Sequence, residues 1–328
     1  MKIELNKILR CPNSGQVLIL ESEQSAGEDV TSGWLVSKDG KHRYPIFNGI
    51  PRFVPESNYA DNFGMQWNKF RQTQLDSYSG YPISSDRFWK ATGWTPADIA
   101  GQWVLDVGCG AGRFAEVALK AGAKVVALDY SSAVDACYAN LKQYPNLYVV
   151  QGDIYALPFP KEFFPFVYSL GVLQHTPNVF KSFSALPPVV SPGGGKLCTD
   201  FYWKRFRTMC HSKYLIRPIT KRLKQQTLFR LLKTITPSLL KTSQFLGAIP
   251  IVGKFIKRIV PVADYTGVYP LKMNQLEEWA LMDTFDMLAP QYDNPQSATT
   301  IRSWMENAGL KEVEVFQANL LVVRGIKS

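Results

Sequence analysis

The feature that most constrains this chain is the stretch from Val104 to Phe114, where an apolar run ends in an acid and a glycine turn follows. The run predicts a strand, the glycines predict a tight loop, and residues 114–121 predict a helix. A second apolar run, residues 124–129, ends in Asp129, an acid placed to bind the two hydroxyls of a ribose. Because glycine lets a backbone approach a ligand closely, these features predict a nucleotide-binding fold.

The spacing of the glycines distinguishes a dinucleotide-binding pattern from a different nucleotide-binding pattern. The dinucleotide fingerprint is G-x-G-x-x-G, but Arg113 takes the place of its third glycine. The chain instead has G-x-G-x-G after Asp106, at Gly108, Gly110 and Gly112. This pattern closely resembles motif I of the class I S-adenosylmethionine (SAM) methyltransferases.

Two later stretches strengthen that resemblance. Residues 151–159 are similar to the loop that binds adenine after the third strand, and residues 166–177 are similar to the fourth strand and the loop beneath the transferred methyl group. Three such stretches in order are a specific signal. The resemblance implies an α/β fold with a Rossmann-like, seven-stranded, mostly parallel sheet whose last strand is antiparallel. A small N-terminal β-rich module and a helical insertion are expected beside it.

The resemblance also implies SAM as the cofactor and gives roles to matching positions. Asp106 is expected to hold the cofactor's amino group directly or through water, Asp129 the ribose, and Asp153 the adenine amino group, with Ile154 against the ring. The cofactor-binding residues expected on this basis are Asp106, Gly108, Cys109, Gly110, Gly112, Asp129, Tyr130, Asp153, Ile154 and Leu170.

His175 is the candidate general base, because it is the one histidine of three that falls in the loop beneath the methyl group. Related sequences often have two adjacent histidines here, whereas this chain has Gln174 before His175, so a structural role in holding the loop is the alternative. The candidates on the substrate side are Gln66, Trp67, Gln174 and Tyr292, the last within residues 283–292, which resemble a substrate-side loop.

The cysteine content and the hydropathy of the chain indicate its cellular compartment. The five cysteines, an odd number, include no C-x-x-C pair, which favours a reduced, cytoplasmic chain. No run is long enough to span a bilayer, and the first residues do not resemble a signal peptide.

Residues 1–58 are predicted to form a β-rich module. Residues 17–20 and 33–36 are predicted strands, joined by a polar link from Glu21 to Ser32. The module resembles the zinc-ribbon-like activator subunit of tRNA methyltransferases, whose pattern has cysteine pairs. Only Cys11 remains of those ligands, and one thiol cannot build a four-ligand zinc site, so we expect no metal.

The rest of the chain divides into three further regions. Residues 59–100 are expected to be a helical cap, residues 101–202 and 296–328 the SAM-binding domain, and residues 203–295 a basic helical lid insertion. In the last region, apolar residues at approximate helical spacing predict an amphipathic helix; these are Ile219, Leu223, Leu231, Leu232 and Ile235.

Charge is concentrated in that insertion. The formal net charge is +10, yet residues 203–260 hold fourteen Lys or Arg and no acid, so the remainder has 23 basic and 27 acidic residues. Basic amphipathic helices suit an anionic membrane surface or an acidic partner. The alternative is a helical lid whose apolar face packs on the domain and whose lysines are solvated.

The sequence therefore predicts a SAM-dependent methyltransferase that acts on an oxygen or carbon of a small-molecule acceptor, including a lipid or lipid-linked one. The alternatives are a tRNA or nucleic-acid methyltransferase and an inactive SAM-binding partner protein. The fourth strand ends in Tyr168-Ser169-Leu170-Gly171 rather than the N/D-P-P-Y/F of enzymes that methylate base amino groups, which argues against nucleic acid as the partner. The oligomeric state is left open.

Overall fold

The computed structural model describes residues 1–27, 29–55, 60–206 and 212–328; the side chains of residues 61, 62 and 254 are not described. The expected boundary between the N-terminal module and the helical cap, at residues 58 and 59, therefore lies outside the described residues, as does Cys210. The other four cysteines are buried and unpaired.

The N-terminal module is a four-stranded antiparallel sheet. Helix α1 (Ile3–Ile8) precedes strands β1 (Leu18–Ala26), β2 (Asp29–Ser37), β3 (Arg43–Phe47) and β4 (Ile50–Pro51), which pair in sequence order. The predicted polar link from Glu21 to Ser32 is wrong, since those residues extend β1 and β2 into a long hairpin. Most side chains of β1 beyond Leu18 face solvent, so this strand lacks the apolar residues by which a strand is recognised in sequence.

This module is joined to the large sheet by backbone and ionic contacts. The N–H of Phe53 donates to the carbonyl of Gln151 at 2.8 Å, and the Arg52 guanidinium contacts the Asp135 carboxylate at 2.6 Å. Lys124 pairs with Glu4 at 2.9 Å. The module is thus fixed against the strand that contains Gln151.

Short helices connect the two sheets. They are α2 (Asp61–Lys69), α3 (Asp76–Ser79), α4 (Ile83–Thr92) and α5 (Pro96–Ile99). Phe88 of α4 is completely buried, packing edge-on to Trp94 and Tyr168. Helix α4 therefore belongs to the core of the large domain, while Trp67 of α2 reaches the functional site described below.

The large sheet confirms the predicted fold class. Strands β5 (Trp103–Val107), β6 (Lys124–Asp129), β7 (Leu147–Gln151), β8 (Phe166–Ser169) and β9 (Gly195–Phe201) are parallel, and β10 (Leu310–Gln317) and β11 (Leu321–Lys327) complete the sheet. The spatial order is β10-β11-β9-β8-β5-β6-β7. The last strand of the chain, β11, lies antiparallel between β9 and β10.

Helices cover both faces of this sheet. Helix α6 (Arg113–Lys120) follows the glycine loop, α7 (Ala133–Leu141) follows β6, and α8 (Val179–Ser184) precedes β9. Helix α8 ends before two prolines, which lead into a separate 3₁₀ turn, Pro187–Val189. Buried apolar side chains on both faces form the core, as parallel sheets require.

The insertion contains α9 (Lys213–Thr220), α10 (Gln225–Gly247), α11 (Gly253–Ile256), a 3₁₀ turn (Lys257–Ile259) and α12 (Met273–Leu288). Helix α10 packs on α12 through Leu228, Phe229 and Leu232. The predicted apolar stripe is wrong at Ile219, Leu223 and Leu231, which are exposed. The predicted stripe treats residues 219–235 as one helix, but the first helix ends at Thr220 and a second begins at Gln225, so helical spacing does not continue across residues 221–224.

After the insertion, α13 (Ala298–Asn307) is followed by β10 and β11. Residues 283–292, which resemble a loop in sequence, instead begin within α12 and leave it after Leu288. In the described part of the chain, none of the helices has the length and apolar character needed to cross a bilayer.

Candidate active site

A cavity of about 1000 Å³ lies between the carboxyl ends of β5, β6 and β8 on one side and the insertion on the other. Its sheet side is formed by residues 107–111, 128–130 and 170–172. Ligands of open parallel sheets bind at this end, where the strand order reverses, here between β5 and β8. The volume is at the upper end of small-molecule sites, enough for a nucleoside cofactor together with a second molecule.

The glycine loop is held by close packing. Gly108 has a φ of 87°, and a Cβ there would lie 2.4 Å from the side chain of Val172. A Cβ on Gly112 would lie 2.6 Å from the side chain of Leu141 on α7. Because larger residues cannot fit, these two glycines fix the loop between the β8 turn and α7. The predicted residues Gly108, Cys109 and Gly110 line the cavity, whereas Gly112 does not.

Asp129 links the glycine loop to the end of β6. Its carboxylate accepts hydrogen bonds from the Gly110 N–H at 3.0 Å and from the Ser131 N–H and hydroxyl at 2.8 and 2.7 Å. Burial raises its pKa, which these hydrogen bonds partly offset. The side chain lines the cavity next to Tyr130, so its carboxylate can also accept bonds from a ligand there.

Asp106 lies behind the loop and is 2 % exposed. Its Oδ2 atom has no hydrogen-bond partner among the described residues, and burial raises its pKa to about 8. A buried carboxyl oxygen without a hydrogen-bond partner beside a ligand cavity is unusual in a native protein and suggests an atom that a ligand or water satisfies. Asp106 does not itself line the cavity.

The structure places the other predicted residues at different distances from the cavity. Trp67, Tyr130, Ile154 and Leu170 line it. Asp153 does not, and its Oδ1 accepts the Tyr155 N–H at 2.8 Å, which caps a 3₁₀ turn. Gln66 and Gln174 are fully buried behind the wall, and their side-chain amides have no hydrogen-bond partners within the described chain. Tyr292 lines a smaller neighbouring pocket.

His175 lines the cavity in a buried aromatic setting. Its ring lies 5.3 Å from that of Phe63 and 5.4 Å from that of Tyr202, centroid to centroid. Nδ1 lies 3.1 Å from the carbonyl oxygen of Tyr292, and since a carbonyl only accepts, Nδ1 carries the proton and Nε2 the lone pair. Burial lowers the pKa of His175 to about 4, so the imidazole is neutral at pH 7 and a weak proton acceptor.

The insertion contributes acids that sequence reasoning missed. Asp283 and Asp286 stand three residues apart on α12, so they share one face of the helix, and both line the cavity. Burial raises the pKa of each to about 6. The sequence signal that could have identified these two acids is their position on one face of an otherwise apolar helical segment.

Asp283 and Asp286 differ in their surroundings. Asp283 accepts hydrogen bonds from the Tyr265 hydroxyl, from Trp279 Nε1 at 3.1 Å and from Gln74 Nε2 at 3.2 Å. Gln74 in turn accepts from Arg113, the first residue of α6 after the glycine loop. Asp283 therefore ties the insertion to the glycine loop. The Asp286 carboxyl also lines the cavity, and the Lys213 ammonium and the Gln66 side chain near it lower its pKa, which partly offsets the effect of burial.

Aromatic side chains complete the insertion side. Tyr265 and Tyr269 stack with centroids 5.0 Å apart at 20°, and Trp279 lies 5.3 Å from Tyr269. All three line the cavity. This wall suits a flat or apolar ligand body, because aromatic rings offer broad, rigid contact area.

Comparison with known proteins shows which proteins the sheet side of the cavity resembles. Residues 105–198 match the family model described as "Methyltransferase domain". Among curated proteins, the sterol 24-C-methyltransferase of Pneumocystis carinii is 33% identical over 108 residues, which are 31% of this chain and 28% of that protein. The tRNA U34 carboxymethyltransferase of Methylococcus capsulatus is 34% identical over 119 residues, covering 34% of this chain and 35% of that protein.

Among solved structures, magnesium protoporphyrin IX methyltransferase from Synechocystis with bound SAH is 15% identical, with a TM-score of 0.44 over 82% of this chain and 97% of that one. The chain spans about a third or less of the lengths of the two curated relatives.

The residues around this cavity fit S-adenosyl-L-methionine. Asp129 has a half-buried carboxylate on the cavity wall, suited to ribose hydroxyls. The Oδ2 atom of Asp106, behind the loop and without a hydrogen-bond partner among the described residues, suits an amino group. The described residues contain no group of three or more His, Cys, Asp and Glu that could bind a metal. The segment 105–198 is a methyltransferase domain of the Rossmann-like class, and its cofactor is S-adenosyl-L-methionine.

Proposed function

We propose that the protein is a SAM-dependent methyltransferase that acts on an oxygen or carbon of a small-molecule acceptor, including a lipid or lipid-linked one. The observation that carries this proposal is that one cavity is lined by both the glycine loop and the aromatic, acid-bearing wall of the insertion. The cofactor supplies a methyl group activated on a sulfonium, so the protein's main task is to orient donor and acceptor.

The cofactor would be held by the predicted residues at the ends of β5, β6 and β7, with Asp129 binding the ribose. Tyr265, Tyr269 and Trp279 would hold the body of the acceptor. Residues 203–295 would act as a lid and residues 60–100 as a cap, since both supply cavity-lining side chains. The N-terminal module would serve as a docking element without metal.

Two side chains could take a proton from an acceptor hydroxyl or acidic carbon. His175 offers Nε2, but its pKa of about 4 makes it a weak base. Asp286, with a pKa of about 6, is ionised at pH 7 and is the stronger base of the two. We therefore propose Asp286 as the proton acceptor and His175 as a residue that orients the loop beneath the methyl group.

The sterol relative supports a small, apolar acceptor, whereas the tRNA relative supports the second candidate, an RNA methyltransferase. Two observations favour the small-molecule methyltransferase over the RNA methyltransferase: the aromatic wall of the insertion, and the absence of an N/D-P-P-Y/F segment after β8. An RNA enzyme would instead bind RNA with a steep salt dependence.

Isotope labelling tests the proposal. Cells with and without the protein are fed methionine labelled on its methyl group, and labelled lipids, small molecules and tRNA nucleosides are compared by mass spectrometry. We expect a labelled small molecule that disappears without the protein and is not restored by Asp129→Ala. Loss of a labelled tRNA nucleoside instead would support the RNA candidate, and SAH binding with no lost product would support an inactive partner.

A further inference from the structure

The positive charge of the insertion is largely unpaired. Of the fourteen basic residues between positions 203 and 260, Lys213 and Arg217 contact Asp293, and Lys257 contacts Asp264 at 3.5 Å. Nine others are exposed and form no ion pair within the described residues; these are Lys204, Arg205, Lys221, Arg222, Lys224, Arg230, Lys233, Lys241 and Arg258. The fold therefore leaves most of this charge directed at solvent.

Exposed apolar side chains accompany these charges. Six lie between positions 245 and 259: Phe245, Ile249, Ile251, Val252, Phe255 and Ile259. They belong to one tip of the insertion, because α11 and the following turn fold back on the end of α10, bringing Lys257 against Gly247. So many exposed apolar side chains within one short segment are uncommon on monomeric proteins unless they bind something.

Ile251 is the extreme case. Its side chain is 93 % exposed, and its φ of 67° lies in the left-handed region, which β-branched residues strongly disfavour. Neither burial nor backbone preference explains isoleucine at this position. Strained residues that a fold retains are often functional, so we infer that this side chain serves a contact outside the chain.

The same surface adjoins the cavity. On α10, Arg230, Leu231, Lys241 and Phe245 are exposed and follow helical spacing, so basic and apolar side chains share one outward face. Arg205 and Arg258 are exposed and also line the cavity. The cavity therefore opens beside the basic surface rather than on a remote side of the molecule.

We propose that this face of the insertion docks on an anionic lipid bilayer, with Ile251 and its apolar neighbours entering the headgroup region and the unpaired lysines and arginines contacting anionic headgroups. Apolar side chains surrounded by unpaired basic ones are the pattern of interfacial binding. Docking would place the cavity mouth at the membrane, where a lipid-like acceptor is available. Docking itself does not depend on the proposed methyl transfer, but the delivery of an acceptor does.

Vesicle co-sedimentation tests the docking face. The full chain is mixed with vesicles of phosphatidylcholine alone or of equimolar phosphatidylcholine and phosphatidylglycerol, at low and high salt. Binding should require phosphatidylglycerol and weaken with salt. Replacing Arg230, Lys241 and Arg258 together by Gln should lower the partition coefficient roughly a hundredfold, about fivefold (about 1 kcal/mol) per charge.

The variant Ile251→Gly tests the membrane contact of this side chain without destabilising the fold. Glycine relieves the left-handed strain, so the melting temperature should stay the same or rise, while vesicle binding falls about tenfold as the apolar side chain is lost. The matched control replaces three exposed lysines outside the insertion, Lys38, Lys41 and Lys142, by Gln, and should leave binding unchanged.

Three results would overturn the proposal: no binding to phosphatidylglycerol vesicles at low salt, binding that survives both insertion variants, or an equal loss in the lysine control. Because no methyl donor is present, failure here would leave the proposed methyl transfer standing. Labelled-product experiments that fail while vesicle binding holds would contradict only the proposed function.

Discussion

Replacing Asp106 by Asn should stabilise the protein while weakening its cofactor site. Asp106 is 2 % exposed, and burial raises its pKa from 3.8 to about 8. Between these two values the folded protein keeps the proton on this carboxyl, whereas the unfolded chain releases it. The unfolded state therefore binds fewer protons, and the free energy of unfolding falls as pH rises through this window.

The magnitude follows from the two pKa values. One pKa unit corresponds to about 1.4 kcal/mol, so Asp106 should remove about 3 kcal/mol of stability between pH 5 and pH 7. Asparagine has the same shape and does not ionise, so Asp106→Asn lacks this loss. The stability advantage of the variant over the wild-type protein should widen by that amount across the two pH units.

Urea unfolding of both proteins at pH 5, 6 and 7 measures this difference directly, because the other titrating groups are common to both. Asp98→Asn is the contrasting control: hydrogen bonds from Thr95 lower the pKa of Asp98, so this carboxyl is ionised in both the folded and the unfolded state from pH 5 to pH 7, and the stability difference between this variant and the wild-type protein should stay constant over that range. Calorimetry should show that Asp106→Asn weakens S-adenosylhomocysteine binding at least tenfold, because the Asp106 carboxyl can release its proton and pair with the cofactor's ammonium group, whereas an amide cannot. A stability gap that stays constant or narrows with pH would refute the reasoning.

Three further predictions concern other residues. Asp129→Ala should weaken S-adenosylhomocysteine binding at least a hundredfold by calorimetry, since two ribose hydrogen bonds of about 1.5–3 kcal/mol each and the anchor of the Gly110 N–H are lost; an unchanged affinity would contradict the ribose role. Because burial lowers the pKa of His175 to about 4, the unfolded chain binds a proton first as pH falls, and about 3 kcal/mol of stability should be lost between pH 6.5 and pH 4. Urea unfolding of His175→Gln should lack most of that loss, and equal acid sensitivity would show that His175 is not responsible. Elemental analysis should find no zinc in the purified chain, and one zinc per chain that disappears in Cys11→Ala would show that the N-terminal module binds metal.

The sheet side of the site was predictable from sequence because its signals are local. Each buried parallel strand is a short apolar run, and the acids Asp106 and Asp129 mark where two of them end. Since parallel strands end at one edge of the sheet, the positions of Gly108, Gly110 and Asp129 around one cavity follow from their order alone.

The acceptor side was not predictable in the same way. Asp283 and Asp286 reach the cavity only because α12 packs against α2 and α10, and no local pattern encodes that packing. The hairpin of β1 and β2 was missed because solvated strands lose the apolar alternation by which a strand is recognised. The predicted stripe failed because helical periodicity was extended across a break between two helices.

The contact between Phe53 and Gln151 covers part of an edge of the large sheet. Strand β7 is the outermost strand on its side of the large sheet, and such strands offer unpaired N–H and C=O groups to other molecules. Here the chain leaving β4 runs beside β7 and occupies part of that row, with Arg52 closing over the same residue. The N-terminal module thus covers part of an exposed edge strand of the large sheet, and a chain shortened to begin after residue 55 should associate through that edge into larger species.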